Sequence, residues 1–452
     1  MSTALILLAA GKGTRMNSDL PKVMHPLAGV PMFLHALKAG IECGAERVVI
    51  VAGHGADMVA GAAANHDSEV EIVIQEQQLG TADAVKQARD NLGDFDGNVI
   101  VLYGDTPFIR TETLDAMLLA RRKGAAVVVL GFEAAKPGNY GRLMLNGQNE
   151  LTAIIEAKDA SPEQKAVTLC NSGVICADAG LLFDLVAQVG NNNASGEYYL
   201  TDIVALATAR GQQCAVVTCD EAETLGINSR AELAMAEQAF QARARAEAME
   251  NGVALAAPDS VFFAFDSVIG RDAVIGPNVV FGPGVTIESG AEIRAFCHLE
   301  GCHVSQGAVV GPFARLRPGA ELAEDVRVGN FVEIKNTTLG EGAKANHLSY
   351  IGDAKIGART NIGAGTIICN YDGILKHRTE IGDGTFIGSN TTLVAPVRLG
   401  RDAMTAAGSV ITKEVPDGAM AISRSEQINK SGFVQRFFSR LKATKAARSV
   451  EK

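Results

Sequence analysis

Large apolar side chains recur every six residues in the second half of the chain, at Ile269, Ile275, Phe281, Ile287, Ile293 and Leu299. Four positions after each of the first five stands a slimmer residue: Ala273, Val279, Val285, Ala291 and Cys297. Gly270, Gly276 and Gly282 directly follow the first three large ones. The beat breaks around residues 301–304 and resumes at Val310, Leu316, Leu322, Val328 and Ile334. It returns at Ile356, Ile362 and Ile368, and again at Ile381, Ile387, Leu393 and Leu399. Neither the helical period nor the alternation of a free strand makes such a beat. Hexapeptide repeats predict a parallel β-helix, in which each repeat supplies a short strand and a turn. With strands about 4.8 Å apart, roughly eight coils would make a prism about 40 Å tall. The beat breaks at residues 344–350 and 369–376, and such interruptions predict loops on one face of the solenoid.

The first half has another pattern. Residues 3–10 form a continuous apolar run, as suits a strand buried on both faces of a parallel sheet. Further runs at 47–52, 70–75, 98–103 and 125–131 alternate with helical patterns such as 31–42 and 82–91. The alternation predicts a parallel, Rossmann-like α/β sheet, with ligands beyond the carboxyl ends of its strands. Residues 230–251 are rich in Ala, Glu, Gln and Arg, with Ser229 as N-cap and Gly252 as stop, so one long, exposed helix is expected. The predicted organisation is an α/β domain over 1–228, a linker helix over 229–252, and a β-helix domain with a tail over 253–452. The linker helix is a candidate cap for the prism.

Length and charge narrow the reading. At 452 residues the chain exceeds one core. A formal net charge of −10 without a broad basic face argues against a nucleic-acid partner. The apolar start is too short to span a bilayer, and no basic region precedes it. The eight scattered cysteines complete no zinc pattern and read as buried free thiols of a reducing cytoplasm. The tail, 427–452, carries Phe433, Phe437, Phe438 and Leu441 among cations. An amphipathic helix on a membrane is one reading, but a cap or disordered end is expected, and membrane contact is not.

The first strand runs into Ala9-Ala10-Gly11-Lys12-Gly13-Thr14-Arg15-Met16, followed by Pro21-Lys22. Glycines let backbone N–H groups approach phosphate oxygens, and the cations balance charge. The loop lacks Walker spacing, and Met16 stands where a dinucleotide fingerprint has its third Gly. Turn geometry alone would also explain the glycines. Tyr103-Gly104-Asp105 puts a carboxylate at a strand end, suited either to Mg²⁺ beside a triphosphate or to a turn. The amides of Gln75 to Gln78, before Leu79-Gly80-Thr81, suit a base edge or a polar loop with Thr81 as cap. In the second half His347 shares a hexad neighbourhood with Arg317, Lys335, Tyr350 and Lys376. Three cations suit a sugar phosphate, and a neutral imidazole suits deprotonation of an amine.

The run LxxGxGTRM…LPK, with QxxQLGT and YGD, resembles the sugar-1-phosphate nucleotidyltransferases. With the hexapeptide repeats behind it, nearly the whole chain resembles the bacterial bifunctional family of glucosamine-1-phosphate acetyltransferases and N-acetylglucosamine-1-phosphate uridylyltransferases. The resemblance implies a left-handed β-helix, a homotrimer, and UTP, acetyl-CoA and glucosamine-1-phosphate as substrates. It implies that Leu8, Ala10, Gly11, Gln75, Gly80 and Thr81 hold the uridine end of UTP. Arg15 and Lys22 would meet its phosphates, Tyr103 would line the site, and Asp105 and Asn228 would ligate Mg²⁺. Nothing else in the sequence singles out Asn228. Gly141, Glu156, Asn171, Tyr199 and Thr201 match sugar positions; Ser172 stands where relatives often carry Thr, one methyl fewer. Arg317, Lys335, Tyr350, Asn361 and Lys376 match glucosamine-1-phosphate positions, and His347 matches the general base. Asn370 and Tyr371 lie near that reaction centre, while Ala364, Ser389, Ala407 and Arg424 match acetyl-CoA contacts. Because that family builds this site between subunits, a monomer is expected to lack acetyl transfer. The competing reading is a nucleotidyltransferase whose β-helix is only a stem.

Overall fold

The computed structural model describes residues 2–450; residue 1 of the predicted first domain and residues 451–452 of the predicted tail lie outside these. The chain divides into two compact units. One comprises Met1–Glu250 with Phe262–Ser267 and Phe281–Pro283, and the other holds the remainder.

The first unit is built on a nine-stranded sheet. The apolar runs at 3–10, 47–52, 70–75 and 98–103 appear as the strands Ser2–Ala9, Arg47–Ala52, Glu71–Ile74 and Gly97–Tyr103. All four are parallel, with Ser2–Ala9 between Arg47–Ala52 and Gly97–Tyr103. Alternate side chains of Ser2–Ala9 enter two cores, Leu5 and Leu7 on one face, Ala4 and Ile6 on the other. The sheet is mixed, not parallel throughout. Leu169–Asp178 runs antiparallel between Gly97–Tyr103 and Val127–Glu133. Its register shifts between Asn171 and Ile175, and Gly173 there has φ 94°. The polar Asn-Ser-Gly of that bulge hides the strand from a reading by apolar runs.

The helix expected to link the domains runs Arg230–Glu250 and groups with the first unit. The Ser229 hydroxyl accepts from the Glu232 N–H at 3.2 Å, closing the N-terminus as expected of a cap. Ala236 and Phe240 are buried with Met16, Leu27, Met32, Phe108 and Ile227. The Gln241 amide donates to the Phe263 carbonyl and accepts from its N–H, at 2.7 and 2.9 Å.

The second unit is a parallel β-helix. One face is a ten-stranded ladder, and the other two join in a fourteen-stranded sheet through the long strands Glu333–Leu339 and Tyr350–Ile356. Ile275, Ile293, Val310, Val328, Ala345, Ile362 and Ile387 stack along the ten-stranded face and are buried. The slim positions are buried as well, and from Thr337 onward they are mostly Thr or Ser. Residues 344–350 do not interrupt the coil, contrary to expectation: Ala345 takes the large-residue place, and Lys344–His347 pairs with Arg327–Asn330 in register. An alanine at that place concealed the beat. The second interruption is a real insertion, closed by the His377 N–H donating to the Asn370 carbonyl at 2.8 Å. The tail forms a helix, Phe433–Val450, whose side chains are exposed through Arg448, so it is not an irregular end. All eight cysteines are free, five buried, Cys43 and Cys219 half-buried and Cys369 exposed. Among the described residues, no helix is long and apolar enough to cross a membrane.

Candidate active sites

In the first unit the parallel strands deliver their carboxyl ends to one edge. The Gly104 N–H donates to the Leu8 carbonyl and the Gln75 N–H to the Ala52 carbonyl, at 2.9 and 2.8 Å. Leu8, Ala10, Gln75 and Tyr103 therefore share one rim. Gly13 has φ 63°, and a Cβ there would overlap the Lys22 side chain, so glycine lets the loop lie against that lysine. Arg15 sits exposed in the short turn Thr14–Met16. A Cβ on Gly11 would point into open space.

Three residues distant in sequence meet on this rim. The Lys22 ammonium pairs with the Asp105 carboxylate and donates to the Asn228 carboxamide oxygen at 3.0 Å. The Ile227 N–H donates to the Asp105 carbonyl at 2.9 Å, which carries Asn228 to its place. The Asn228 N–H is held by the Glu232 carboxylate at 2.7 Å. These contacts span the whole first unit and have no local sequence signal.

The Gln75 amide nitrogen donates to the Asp83 carboxylate at 2.7 Å and to the Gly80 carbonyl at 3.2 Å. That fixes the amide with its oxygen left as acceptor. Gly80, at φ 126°, lies so close to Tyr198 that a Cβ would fall 2.5 Å from its carbonyl oxygen. The Thr81 hydroxyl accepts from the Leu200 N–H at 2.9 Å, so the segment leading to Tyr199 and Thr201 is tied to the same loop. The Thr201 hydroxyl donates to Glu156 at 3.3 Å, and the Asn171 N–H to the Gly141 carbonyl at 2.9 Å. A Cβ on Gly141 would touch both Asn171 and Glu156, so the expected sugar residues form one group. The Ser172 hydroxyl donates to the Leu130 carbonyl at 2.8 Å, a bond that does not need the missing methyl. A cavity of about 290 Å³ adjoins this group, lined by Asn139, Glu156, Ala157, Lys158, Ser195, Glu197 and Tyr199. Sequence reasoning missed Asp83, Asn139 and Ser195.

Electrostatics follow burial. Burial pushes the Glu156 carboxyl above its ordinary range; the Thr201 hydrogen bond opposes this, and Asp159 and Asp202 add to it. Burial likewise pushes the Tyr103 phenol well up, with Asp105 and Glu156 contributing.

In the second unit, successive coils stack the candidates. His347 ends its strand in register with Asn330, whose carboxamide oxygen lies 2.9 Å from His347 Nδ1. An acceptor there puts the proton on Nδ1 and leaves Nε2 free as a base. Nothing in the residue types marks Asn330; it stands one coil, 17 residues, before His347. Lys335 and Lys376 lie close enough that the first lowers the ammonium pKa of the second. Burial pushes the Asp353 carboxyl up, but bonds from Asn336 and Asn370 and the charges of Lys335 and Lys376 hold it below its ordinary value. The Asn370 amide also donates to the Tyr350 hydroxyl at 3.5 Å, and Gly352 leaves both room. Arg317 is paired with Glu333 at 2.8 Å, and its buried Nε has no acceptor among the described residues. Asn361 opens the next strand beside Lys344, with no hydrogen bond to this group among the described residues. The Tyr371 hydroxyl donates to the Gly373 carbonyl of its own loop.

Ala364, Ser389, Ala407 and Arg424 form a line. The Asn390 N–H donates to the Ala364 carbonyl at 2.7 Å, the Gly408 N–H to the Ser389 carbonyl at 2.8 Å, and the Arg424 guanidinium to the Ala407 carbonyl at 2.8 Å. The Gly365 N–H donates to the His347 carbonyl at 3.2 Å, so the line begins beside His347. Three coil steps of about 4.8 Å make it about 14 Å long.

A phosphate-type loop at the rim of an α/β sheet, with a hexapeptide solenoid behind it, defines a nucleotidyltransferase joined to a second transferase. Residues 5–173 match the MobA-like NTP transferase domain family, and residues 266–301 and 378–413 match the bacterial transferase hexapeptide family of six repeats. The bifunctional protein GlmU of Cereibacter sphaeroides (strain ATCC 17023) is 64% identical, over 100% of this chain and 99% of that protein. Those of Ruegeria sp. (strain TM1040) and Paracoccus denitrificans (strain Pd 1222) are 62% and 63% identical over at least 98% of each chain. A solved UDP-glucose pyrophosphorylase complexed with UDP-glucose aligns with TM-score 0.44 and 17% identity, over 54% of this chain and 100% of that one. The chain belongs to the GlmU family of bifunctional proteins, and is a uridylyltransferase and acetyltransferase in one polypeptide.

Proposed function

We propose that the second unit acetylates glucosamine-1-phosphate and that the first unit then couples the product to UTP, giving UDP-N-acetylglucosamine and pyrophosphate. The observation that carries the nucleotidyl half is the convergence of Lys22, Asp105 and Asn228 on one point.

In acetyl transfer, His347 Nε2 takes the proton of the sugar amine, and the freed nitrogen attacks the thioester carbonyl of acetyl-CoA. A C–N bond forms, the C–S bond breaks and the CoA thiolate leaves. Arg317, Lys335 and Lys376 receive the sugar phosphate; Lys335 and Lys376, adjacent like charges, gain most from a dianion between them. Tyr350, Asn361, Asn370 and Tyr371 line the sugar and the reaction centre. The line from Ala364 through Ser389 and Ala407 to Arg424 takes the extended CoA chain, its small residues leaving room and its arginine meeting phosphate.

In nucleotidyl transfer, a phosphate oxygen of N-acetylglucosamine-1-phosphate attacks the α-phosphorus of UTP in line, and the bond to pyrophosphate breaks. The nucleophile is already ionised, so no base is required; positioning and charge neutralisation by Arg15 and Lys22 carry the step. Leu8, Ala10, Gly11, Gln75, Gly80 and Thr81 hold the uridine. Tyr103, Gly141, Glu156, Asn171, Tyr199 and Thr201 hold the sugar. The Asp105 and Asn228 oxygens, hard donors aimed at a single cation, fit Mg²⁺. Bound there, the ion would neutralise triphosphate charge.

We further assign the active form as a cytoplasmic homotrimer. Phe296, Phe313 and Phe331 stack in successive coils at 4.9 and 5.3 Å, exposed along one corner, which supports association between copies. The test is product mass after incubation with UTP, Mg²⁺ and glucosamine-1-phosphate, with and without acetyl-CoA. UDP-N-acetylglucosamine is expected only with acetyl-CoA. If it forms from N-acetylglucosamine-1-phosphate but never from glucosamine-1-phosphate, the acetyl assignment falls; if from neither, the nucleotidyl assignment falls.

A further inference from the structure

The ammonium of Lys22 lies where a metal ion would. Its Nζ bonds both Asp105 and Asn228, the two oxygens proposed as Mg²⁺ ligands. The Lys22 side chain is only 12% exposed and that of Asp105 only 22%. The lysine is confined on its other side by the Gly13 backbone, where even a methyl group would collide with it. Both acceptors are themselves fixed, Asp105 through the Ile227 N–H on its carbonyl and Asn228 through Glu232.

Resting on the proposal that Asp105 and Asn228 are metal ligands, we infer that Lys22 is the resident cation of the metal site and competes with the divalent ion for it. A dication and an ammonium sharing the same two oxygens within about 3 Å of each repel strongly in a half-buried site. The ion therefore enters only as Lys22 leaves. Among the described residues Asp105 is the carboxylate paired with Lys22, and without nucleotide a metal ion entering there would leave two cations around one carboxylate. A triphosphate supplies the missing negative charge and a new partner for the ammonium. Metal and nucleotide thus bind synergistically, and Lys22 exchanges Asp105 for phosphate in the same event. The lysine neutralises Asp105 and selects for the metal–nucleotide complex over the free ion.

The test is Mn²⁺ titration of the full-length protein without nucleotide, followed by loss of the free-ion EPR signal. Wild type is expected to bind weakly. Lys22→Met, similar in length but uncharged, is expected to bind about tenfold tighter or more, within the usual range of such couplings. Unchanged or weaker binding in Lys22→Met overturns the inference. Lys22→Gln replaces it if Lys22→Met does not show the wild-type circular dichroism. Adding Asp105→Asn to Lys22→Met should abolish the gain. A gain that survives Asp105→Asn overturns the ligand proposal, and the inference with it. Unchanged affinity in Lys22→Met, with Asp105→Asn still lowering Mn²⁺ binding, overturns the inference alone.

Discussion

Glu156, proposed above to hold the sugar, carries a cost in stability. Its carboxyl is pushed up mainly by burial. The folded state therefore holds this proton more tightly than the unfolded chain does, and stability falls as pH rises from the ordinary carboxylate range through the raised value. Glu156→Gln is expected to raise the melting temperature of the first unit at neutral pH. The gain should vanish below about pH 4, where both states are protonated. The same variant should raise the KM for N-acetylglucosamine-1-phosphate. Thermal melts across pH check the first part, and a neutral-pH melting point equal to wild type would overturn it. Lys22 and Asp105 were legible at this scale because their motifs mark them. Asn228 was not, since its partner Lys22 lies 206 residues away and only the fold joins them. Asn330 stayed invisible for a related reason: its role comes from stacking one coil on the next.

Among elements, the coils of the β-helix differ along their length in a way that the beat alone conceals. Slim positions change from Ala, Val and Cys to buried Thr and Ser in the later coils. The Thr391 hydroxyl donates to the Gly388 carbonyl at 2.6 Å and lies 3.1 Å from that of Thr405, which accepts from the Gly388 N–H at 2.9 Å. This small network satisfies a turn inside the prism. Thr391→Val keeps the shape and orphans the carbonyl, and should cost about 1–3 kcal/mol. Denaturant unfolding of the second unit measures it; a loss under about 0.5 kcal/mol would mean that the turn relaxes or that water replaces the hydroxyl. Strands with unbroken apolar runs were located in advance. Leu169–Asp178 was missed because its bulge carries Asn171, Ser172 and Gly173, polar and small where the eye seeks Val and Ile.

At the scale of the molecule, the residues that the chain contributes to each proposed site all belong to one compact unit, a different one for each reaction. The two reactions should therefore be separable. His347→Ala should lose acetyl transfer by about 10²–10⁴-fold and keep uridylyl transfer. Lys22→Ala should do the reverse. Mixing the two purified variants is expected to restore UDP-N-acetylglucosamine synthesis from glucosamine-1-phosphate, because the acetylated intermediate can diffuse. If each variant keeps its own reaction but the mixture yields no product, the intermediate does not leave the protein, and the two sites act as a channel.

The sequence by itself determined the two architectures, because hydrophobic periodicity is a local property that the chain must satisfy wherever it folds. It also marked the Gly-rich loop, the Asp105 turn and the neighbourhood of His347, since each lies within a few residues or one repeat. Tertiary structure alone decided which groups meet. The meeting of Lys22 with Asn228, the hold of Asp83 on Gln75 and the line from His347 to Arg424 depend on strand order, coil register and helix placement. Such contacts are set by the packing of the whole unit, and no window of the sequence carries them.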